Sequence, residues 1–213
     1  MYFLPENLDQ YIVSHSESEP ELLQELTRET YQKVLQPIML SGPYQGRVLS
    51  MLSKLVRPKS ILEIGTFTGY ATLCLAEGLS PDGSIDTIDI NEELTDFQRK
   101  YFNKSGHGSR IHQHTGNALD IIPQLDKTYD LIFIDADKPN YPNYFELTID
   151  KLNSGGILLS DNVLWHGKVT QPLEAKDVST KAVLDYNTLL KNDKRVESVI
   201  LPVRDGLTIS RKR

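Results

Sequence analysis

Two apolar runs of this sequence end in residues whose combined chemistry is that of a site for a hard cation. Leu131-Ile132-Phe133-Ile134 leads into Asp135-Ala136-Asp137-Lys138, and Ile157-Leu158-Leu159-Ser160 leads into Asp161-Asn162-Val163-Leu164-Trp165-His166. If the two runs are neighbouring strands, Asp135, Asp161 and Asn162 meet at their carboxyl ends, where open α/β sheets bind ligands. Two carboxylates and an amide oxygen, with no histidine or cysteine among them, suit Mg²⁺, Ca²⁺ or Mn²⁺ better than Zn²⁺. Three protein donors leave about three octahedral positions for water and a bidentate oxygen substrate, as Lewis-acid catalysis requires. The competing use of these acids is to cap the helices that follow. Asp137 falls one residue off the convergent position and is expected to brace its loop, while His166 is expected to wall the pocket.

A second constellation lies earlier in the chain. Ile61-Leu62-Glu63-Ile64-Gly65-Thr66-Phe67-Thr68-Gly69-Tyr70 carries an apolar strand through a loop with two glycines into a helix. Gly65 permits a tight turn with close approach of a ligand, and Gly69 lets the helix start against the sheet. The dinucleotide fingerprint Gly-x-Gly-x-x-Gly is not met, and Phe67 and Thr68 stand where a pyrophosphate site wants small residues or free amides. A ligand without phosphates is expected. Asp89 lies 24 residues past Gly65, near the spacing at which such folds place a ribose-binding carboxylate. Glu63, inside an apolar strand, is costly to bury unless hydrogen-bonded, so it is expected either to brace its own loop or to meet an amine or sulfonium.

These residues need strands and helices to position them. Short β-type runs at Ser60–Ile64, Ser84–Ile90, Arg110–His114, Tyr129–Ile134 and Gly156–Ser160 alternate with helical stretches at about 69–79, 92–104, 117–125, 140–153 and 177–192, which predicts βαβ units and a parallel sheet. Val196–Pro202 and Leu207–Arg211, joined through Asp205-Gly206, predict a terminal antiparallel hairpin at the sheet edge. The first sixty residues read as helices. Ser18 with Glu21 resembles a capping box, followed by Leu22, Leu23, Leu26 and Thr30 along one face.

Composition bounds the answer. The chain has 213 residues, a net charge of −6 and 24% charged residues, which suits one core of ordinary size and provides no field to attract nucleic acid or an anionic membrane. One domain is expected, with helices at 1–58 covering the site and an α/β core at 59–213. A single cysteine, Cys74, in an apolar stretch is expected to be buried and inert, and points to a cytoplasmic protein. No apolar run approaches the ~20 residues of a membrane span, and Met1-Tyr2-Phe3-Leu4-Pro5-Glu6 lacks the basic start of a signal peptide.

Four of these motifs, in this order at these strand ends, resemble the cation-dependent O-methyltransferases, the group containing catechol and caffeoyl-coenzyme A O-methyltransferases. They are Leu62-Glu63-Ile64-Gly65 with Thr68-Gly69-Tyr70, Ile88-Asp89-Ile90-Asn91, Ile134-Asp135-Ala136-Asp137-Lys138, and Asp161-Asn162-Val163-Leu164-Trp165. The resemblance covers nearly the whole chain. It implies a Rossmann-like class I methyltransferase fold, a seven-stranded, mostly parallel sheet with a C-terminal antiparallel hairpin and extra N-terminal helices, using S-adenosylmethionine and Mg²⁺ (or Ca²⁺ or Mn²⁺). It also favours a homodimer acting on a small phenolic substrate. By the same resemblance Met39, Leu40, Glu63, Gly65, Thr66, Phe67, Tyr70, Ala71, Asp89, Ala118 and Asp135 face the cofactor. Asp135, Asp161 and Asn162 bind the metal, Lys138 and Asp135 serve catalysis, and Lys138, Trp165 and His166 face the acceptor. Gly42-Pro43-Tyr44 departs from the plant sequences next to the covering segment at Met39-Leu40.

The expected chemistry is methyl transfer to one hydroxyl of a vicinal diphenol or its coenzyme A ester. A phenol near pKa ~10 is mostly protonated at neutral pH, so activation is the main problem, and chelation by a divalent cation answers it. Lys138 would take the proton, which requires its usual value of ~10.4 to be lowered by the metal or by burial. The rival readings are a nicotinamide-dependent oxidoreductase, which leaves Asp161-Asn162 unused, and a non-catalytic cofactor-binding protein. Gly167–Thr180, with Lys168 and Lys176, is expected to help shape the acceptor pocket.

Overall fold

A computed structural model describes residues 5–213; the Met1–Leu4 part of the start read above lies outside the described residues. Three helices come first: α1 (Glu6–Ser14), α2 (Glu21–Lys33) and α3 (Gly42–Val56), with a 3-10 turn at Pro37–Met39 before the third. Leu23, Leu26 and Thr30 form the buried face of α2, as the spacing predicts. The predicted capping box does not form: the N-cap is Pro20, with no side-chain cap bond. A residue preceding proline is kept out of the helical region, so Glu19 cannot join the helix. Its carboxylate instead accepts from the Tyr70 hydroxyl at 2.7 Å.

From residue 60 strands and helices alternate: β1 (Ser60–Ile64), α4 (Tyr70–Ala76), β2 (Ser84–Asp89), α5 (Thr95–Lys104), β3 (Ile111–Thr115), α6 (Ala118–Ile121), β4 (Tyr129–Ile134), α7 (Tyr141–Ile149), β5 (Leu152–Asp161), α8 (Val178–Asn192), β6 (Val196–Leu201) and β7 (Leu207–Lys212). The sheet order is β3-β2-β1-β4-β5-β7-β6. The first five strands are parallel and β7 runs antiparallel to both neighbours. β5 starts inside what the sequence predicts as helix, because Leu152 already pairs with Tyr129 across an irregular register. Gly155, at φ +78, lies in that irregular stretch.

Side chains of a strand alternate between faces, and here both faces are covered. Ile61, Leu131 and Phe133 pack with Leu26, Leu49 and Phe102 on one side. Leu62, Ile132 and Ile134 pack with Phe145 and Tyr186 on the other. That is why the central strands read as continuous apolar runs. Cys74 is buried and free, as expected. Among the described residues no helix is long and apolar enough to cross a membrane. The chain runs from β1 outward through β2 to β3 and then crosses back to β4 on the other side of β1, so the crevice for a ligand opens at the carboxyl ends of β1 and β4.

Candidate active site

Gly65 and Asp135 close the bottom of that crevice. Gly65 continues the ladder after β1, donating to Ile88 O at 2.9 Å, and Asp135 N donates to Ile64 O at 2.8 Å. A Cβ on Gly65 would stand 1.9 Å from the Asp135 carbonyl oxygen, and the residue sits at φ +99. Only glycine fits both the conformation and the space. The next turn holds Phe67 at φ 48, its amide donating to Asp89 Oδ2 at 2.6 Å. Asp89 Oδ1 accepts from Asn91 N at 2.8 Å. The amide that a pyrophosphate would need is thus taken by a carboxylate, in line with the expected phosphate-free ligand.

Glu63 is wholly buried on β1. Its Oε2 accepts from the Thr72 and Thr87 hydroxyls, and Thr66 and Thr87 share a further bond, so the side chain does brace the loop. Its Oε1 has no partner among the described residues. Burial, reinforced by the charges of Asp135 and Asp89, pushes the carboxyl up to about 8. A buried carboxylate with an unanswered oxygen and, among the described residues, no cation bonded to it fits a ligand that brings an ammonium or sulfonium.

The other expected cofactor residues divide. Ala71 is buried in the first turn of α4. Ala118 is buried at the start of α6, which Asn117 caps by accepting from Leu119 N. Gly116 N donates to Asp89 O at 2.8 Å and brings this turn beside the Asp89 strand end. Leu40 is buried and Met39 exposed at the 3-10 turn before α3. Tyr70 turns its side chain the other way, onto Glu19 and against Gly46 of α3, so contact with a ligand falls to its backbone.

The acidic pair comes from register. Ile134 on β4 and Ser160 on β5 are partners in a parallel ladder, so the next residues, Asp135 just past β4 and Asp161 at the last position of β5, stand at adjacent strand ends. Asp161 is buried. Its Oδ2 accepts from Gln45 Nε2 of α3 at 2.7 Å and its Oδ1 from Asn162 N at 2.8 Å. Burial and the charge of Asp135 push its carboxyl up to about 7. Asn162 turns at φ 58 immediately after. Among the described residues no group of three or more His, Cys, Asp or Glu that could hold a metal ion occurs; Asn162, the third donor expected from the sequence, follows Asp161 directly. Two like charges forced together in low dielectric fit a divalent cation, and all-oxygen donors select a hard one.

Lys138 is not a solvated loop charge but is only 6% exposed. Its Nζ donates to Tyr141 Oη at 2.5 Å, to Ala136 O at 3.1 Å and to Asp135 Oδ1 at 3.4 Å. Tyr141 in turn donates to Asp161 O at 2.9 Å. Burial and the two carboxylates hold the phenol well above its ordinary value, so it stays a neutral donor. Trp165 lies with its ring centroid 5.7 Å from the ammonium. His166 is 55% exposed on its side chain, its Nδ1 3.5 Å from Asp205 Oδ2 and its amide donating to Asp205 Oδ1 at 2.6 Å. It belongs to the rim rather than to the carboxylates. Asp137 accepts from Tyr144 Oη and Asn140 Nδ2 and braces the start of α7, as expected.

Sequence reasoning missed Gln45. It is a wholly buried amide on the face of α3 that carries Leu49. A polar residue on an otherwise core-facing helix stripe is the signal that marks it.

With the geometry in hand, comparison with known proteins gives a consistent result. The family model described as O-methyltransferase matches residues 13–213. Caffeoyl-CoA O-methyltransferase 5 of Nicotiana tabacum is 40% identical, covering 96% of this chain and 90% of that protein. Caffeoyl-CoA O-methyltransferase 1 of Arabidopsis thaliana is 39% identical, covering 97% and 85%. The structure of an O-methyltransferase from Bacillus cereus in complex with SAH superposes with a TM-score of 0.90 at 30% identity, covering 97% of both chains. An SAH-bound methyltransferase from Podospora anserina superposes with a TM-score of 0.89 at 28% identity, covering 100% and 99%.

Proposed function

This chain belongs to the O-methyltransferase family, and from that premise we propose that it methylates one hydroxyl of a vicinal diphenol, free or as a coenzyme A ester, in a divalent-cation-dependent reaction. Methyl transfer from S-adenosylmethionine is the activity of the family; the cation and the diphenol are the finer reading. The observation that carries it is that Asp135 and Asp161 stand at the carboxyl ends of the neighbouring strands β4 and β5, with the buried Lys138 3.4 Å from Asp135, next to the end of β1 that leads into the cofactor loop.

S-adenosylmethionine brings a methyl group on a sulfonium, and a divalent cation held by Asp135, Asp161 and Asn162 brings Lewis-acid charge that favours an ionised phenol. The chain does the rest. The unpartnered Oε1 of Glu63 receives a positively charged group at the amino-acid end of the cofactor. Asp89 keeps lone pairs for ribose hydroxyls beyond its two amide bonds. Trp165 walls an aromatic acceptor, and its rigid ring limits the poses in which a hydroxyl lies in line with the donor. Lys138 Nζ takes the proton leaving that hydroxyl, and Tyr141 holds the amine at the required place.

The supporting experiment is a panel of vicinal diphenols and matched monophenols incubated with methyl-labelled S-adenosylmethionine, with and without Mg²⁺. Label is expected only with the diphenols and the cation together. Equal incorporation after exhaustive chelation overturns the metal assignment, and equal incorporation into monophenols overturns the acceptor assignment.

A further inference from the structure

The turn between β6 and β7 holds two stretches of chain that border the acidic pair, and it does so with adjacent residues. Arg204 Nη1 donates to Leu40 O at 2.8 Å and also to Ser41 O. These carbonyls stand at the entrance of α3, the helix from which Gln45 reaches Asp161. On the other side Asp205 Oδ1 accepts from His166 N at 2.6 Å, and the Asp205 and Gly206 carbonyls accept from Leu164 N at 2.9 Å and Val163 N at 3.2 Å. That second stretch is the turn that follows Asp161 and Asn162.

Two features set Arg204 apart from an incidental surface contact. It occupies φ 48, a left-handed conformation that disfavours a side chain with a Cβ. Its cation sits at the amino end of α3, where the helix dipole repels positive charge. A residue held against both penalties is over-determined by its surroundings, the pattern expected where geometry serves a site. The fit around it is close: a Cβ on Gly206 would fall 2.5 Å from Leu164 Cγ.

We propose that Arg204 is a positioning residue that fixes the start of α3, so that Gln45 holds Asp161 in the orientation the site needs. The role goes beyond the proposed reaction, and rests on it only in taking Asp161 to be part of the working site. The hairpin is therefore a strut between the covering segment at Leu40–Ser41 and the turn after β5. The link runs through bonds the chain makes with itself, so it can be tested without cofactor, cation or acceptor.

The test is side-chain amide hydrogen exchange by NMR on the full-length ¹⁵N-labelled protein. The wild type is compared with Arg204→Ala and with Arg204→Gly, which relieves the positive φ and guards against a variant that fails to fold. The Gln45 side-chain amide is expected to lose at least tenfold of its protection in both variants. The side-chain amide of Gln98, bonded to Phe67 O at 2.7 Å beside the cofactor loop, is expected to keep its own. Gln45 protection within twofold of wild type in a folded variant overturns the proposal.

A kinetic double-mutant cycle gives the second readout. If Arg204 acts through Gln45, Arg204→Ala lowers kcat severalfold in the wild type and changes it little in a Gln45→Ala background. Independent, multiplying losses count against the strut. Undiminished turnover by Asp161→Ala, by contrast, refutes the reading of the reaction site while leaving the exchange result to decide the role of Arg204.

Discussion

Gly65 and Asp135 approach so closely that a single methyl group on the former would collide with the latter's carbonyl oxygen, at 1.9 Å. The contact joins the cofactor loop to the acidic strand end, so one substitution tests both. Gly65→Ala must move the Asp135 backbone or distort the loop, and it adds the penalty of a side chain at φ +99. Strain and overpacking of this kind cost about 3 kcal/mol or more together. For a chain of this size that lowers Tm by roughly 10 °C, and the surviving folded protein should lose turnover because Asp135 is displaced. A melting curve within about 2 °C of wild type argues that the loop gives way freely and that the contact matters little.

Glu63 makes a prediction about pH. Its folded carboxyl sits at about 8, against an ordinary value of 4.5. Between those values the folded state holds a proton that the unfolded state has lost, so stability is greatest below pH 4.5, falls as pH rises through the window, and levels off above pH 8. Glu63→Gln removes this contribution and should flatten the decline seen by urea unfolding at pH 5 and pH 8. The same variant should bind S-adenosylmethionine more weakly above pH 8, where the wild-type carboxyl is mostly ionised and attracts a cation. A decline as steep as wild type's, or unchanged affinity, removes Glu63 from the cofactor site.

Much of this arrangement is legible in residue types and spacing, for definite reasons. β1 and β4 match the expected ranges end to end, because strands covered on both faces read as largely apolar runs and end where a turn-forming or polar residue follows. Gly65 and Asp135, which follow them, belong to the site. Contacts between distant side chains leave no such trace. Ser18 and Glu21 read as a capping box, and only the fold reveals that Glu19, which lies between them, serves the Tyr70 hydroxyl. The role expected of Lys138 comes from its place after Asp135, but its burial leaves no local trace, since it comes from Tyr141, Trp165 and the strand ends together. Gln45 and Arg204 act across 116 and 164 residues of chain, beyond the reach of any local pattern.

Lys138 is held by three oxygens, and truncation separates its chemical role from its structural one. Lys138→Met keeps the apolar stem against Trp165 and Tyr141 but cannot accept a proton. Loss of a general base lowers turnover by roughly 10²–10⁴-fold, and acceptor KM should move little because Trp165 still walls the ring. Lys138→Arg should not restore the rate, since a guanidinium stays protonated and its planar fork does not match a pocket built for an ammonium. Steady-state kinetics across pH 6–9 checks this, and a Lys138→Met profile that parallels wild type at a similar rate removes the residue as base.

Asp161 supplies the prediction in which stability and activity move apart. Its buried carboxyl is pushed up to about 7, by desolvation first and by Asp135 second. The sign follows as for Glu63: the ionised form is disfavoured in the fold, and stability is lost as pH climbs from the unfolded value toward 7. Asp161→Asn removes the charge and keeps the shape. Its oxygen can still accept from Asn162 N. If the Gln45 amide turns over, Gln45 Oε1, which has no partner among the described residues, accepts from the new Asn amide. Relief of a buried like-charge pair should raise stability at pH 8 by about 1–3 kcal/mol. The same change takes one carboxylate from a two-carboxylate cation site, so Mg²⁺-dependent turnover should fall by at least two orders of magnitude. Urea unfolding and a turnover assay on one preparation decide the matter. A variant that is less stable than wild type at pH 8 shows that Asp161 is held in the fold as a stabilising anion, and a variant that keeps its rate shows that the acidic pair does not carry the chemistry.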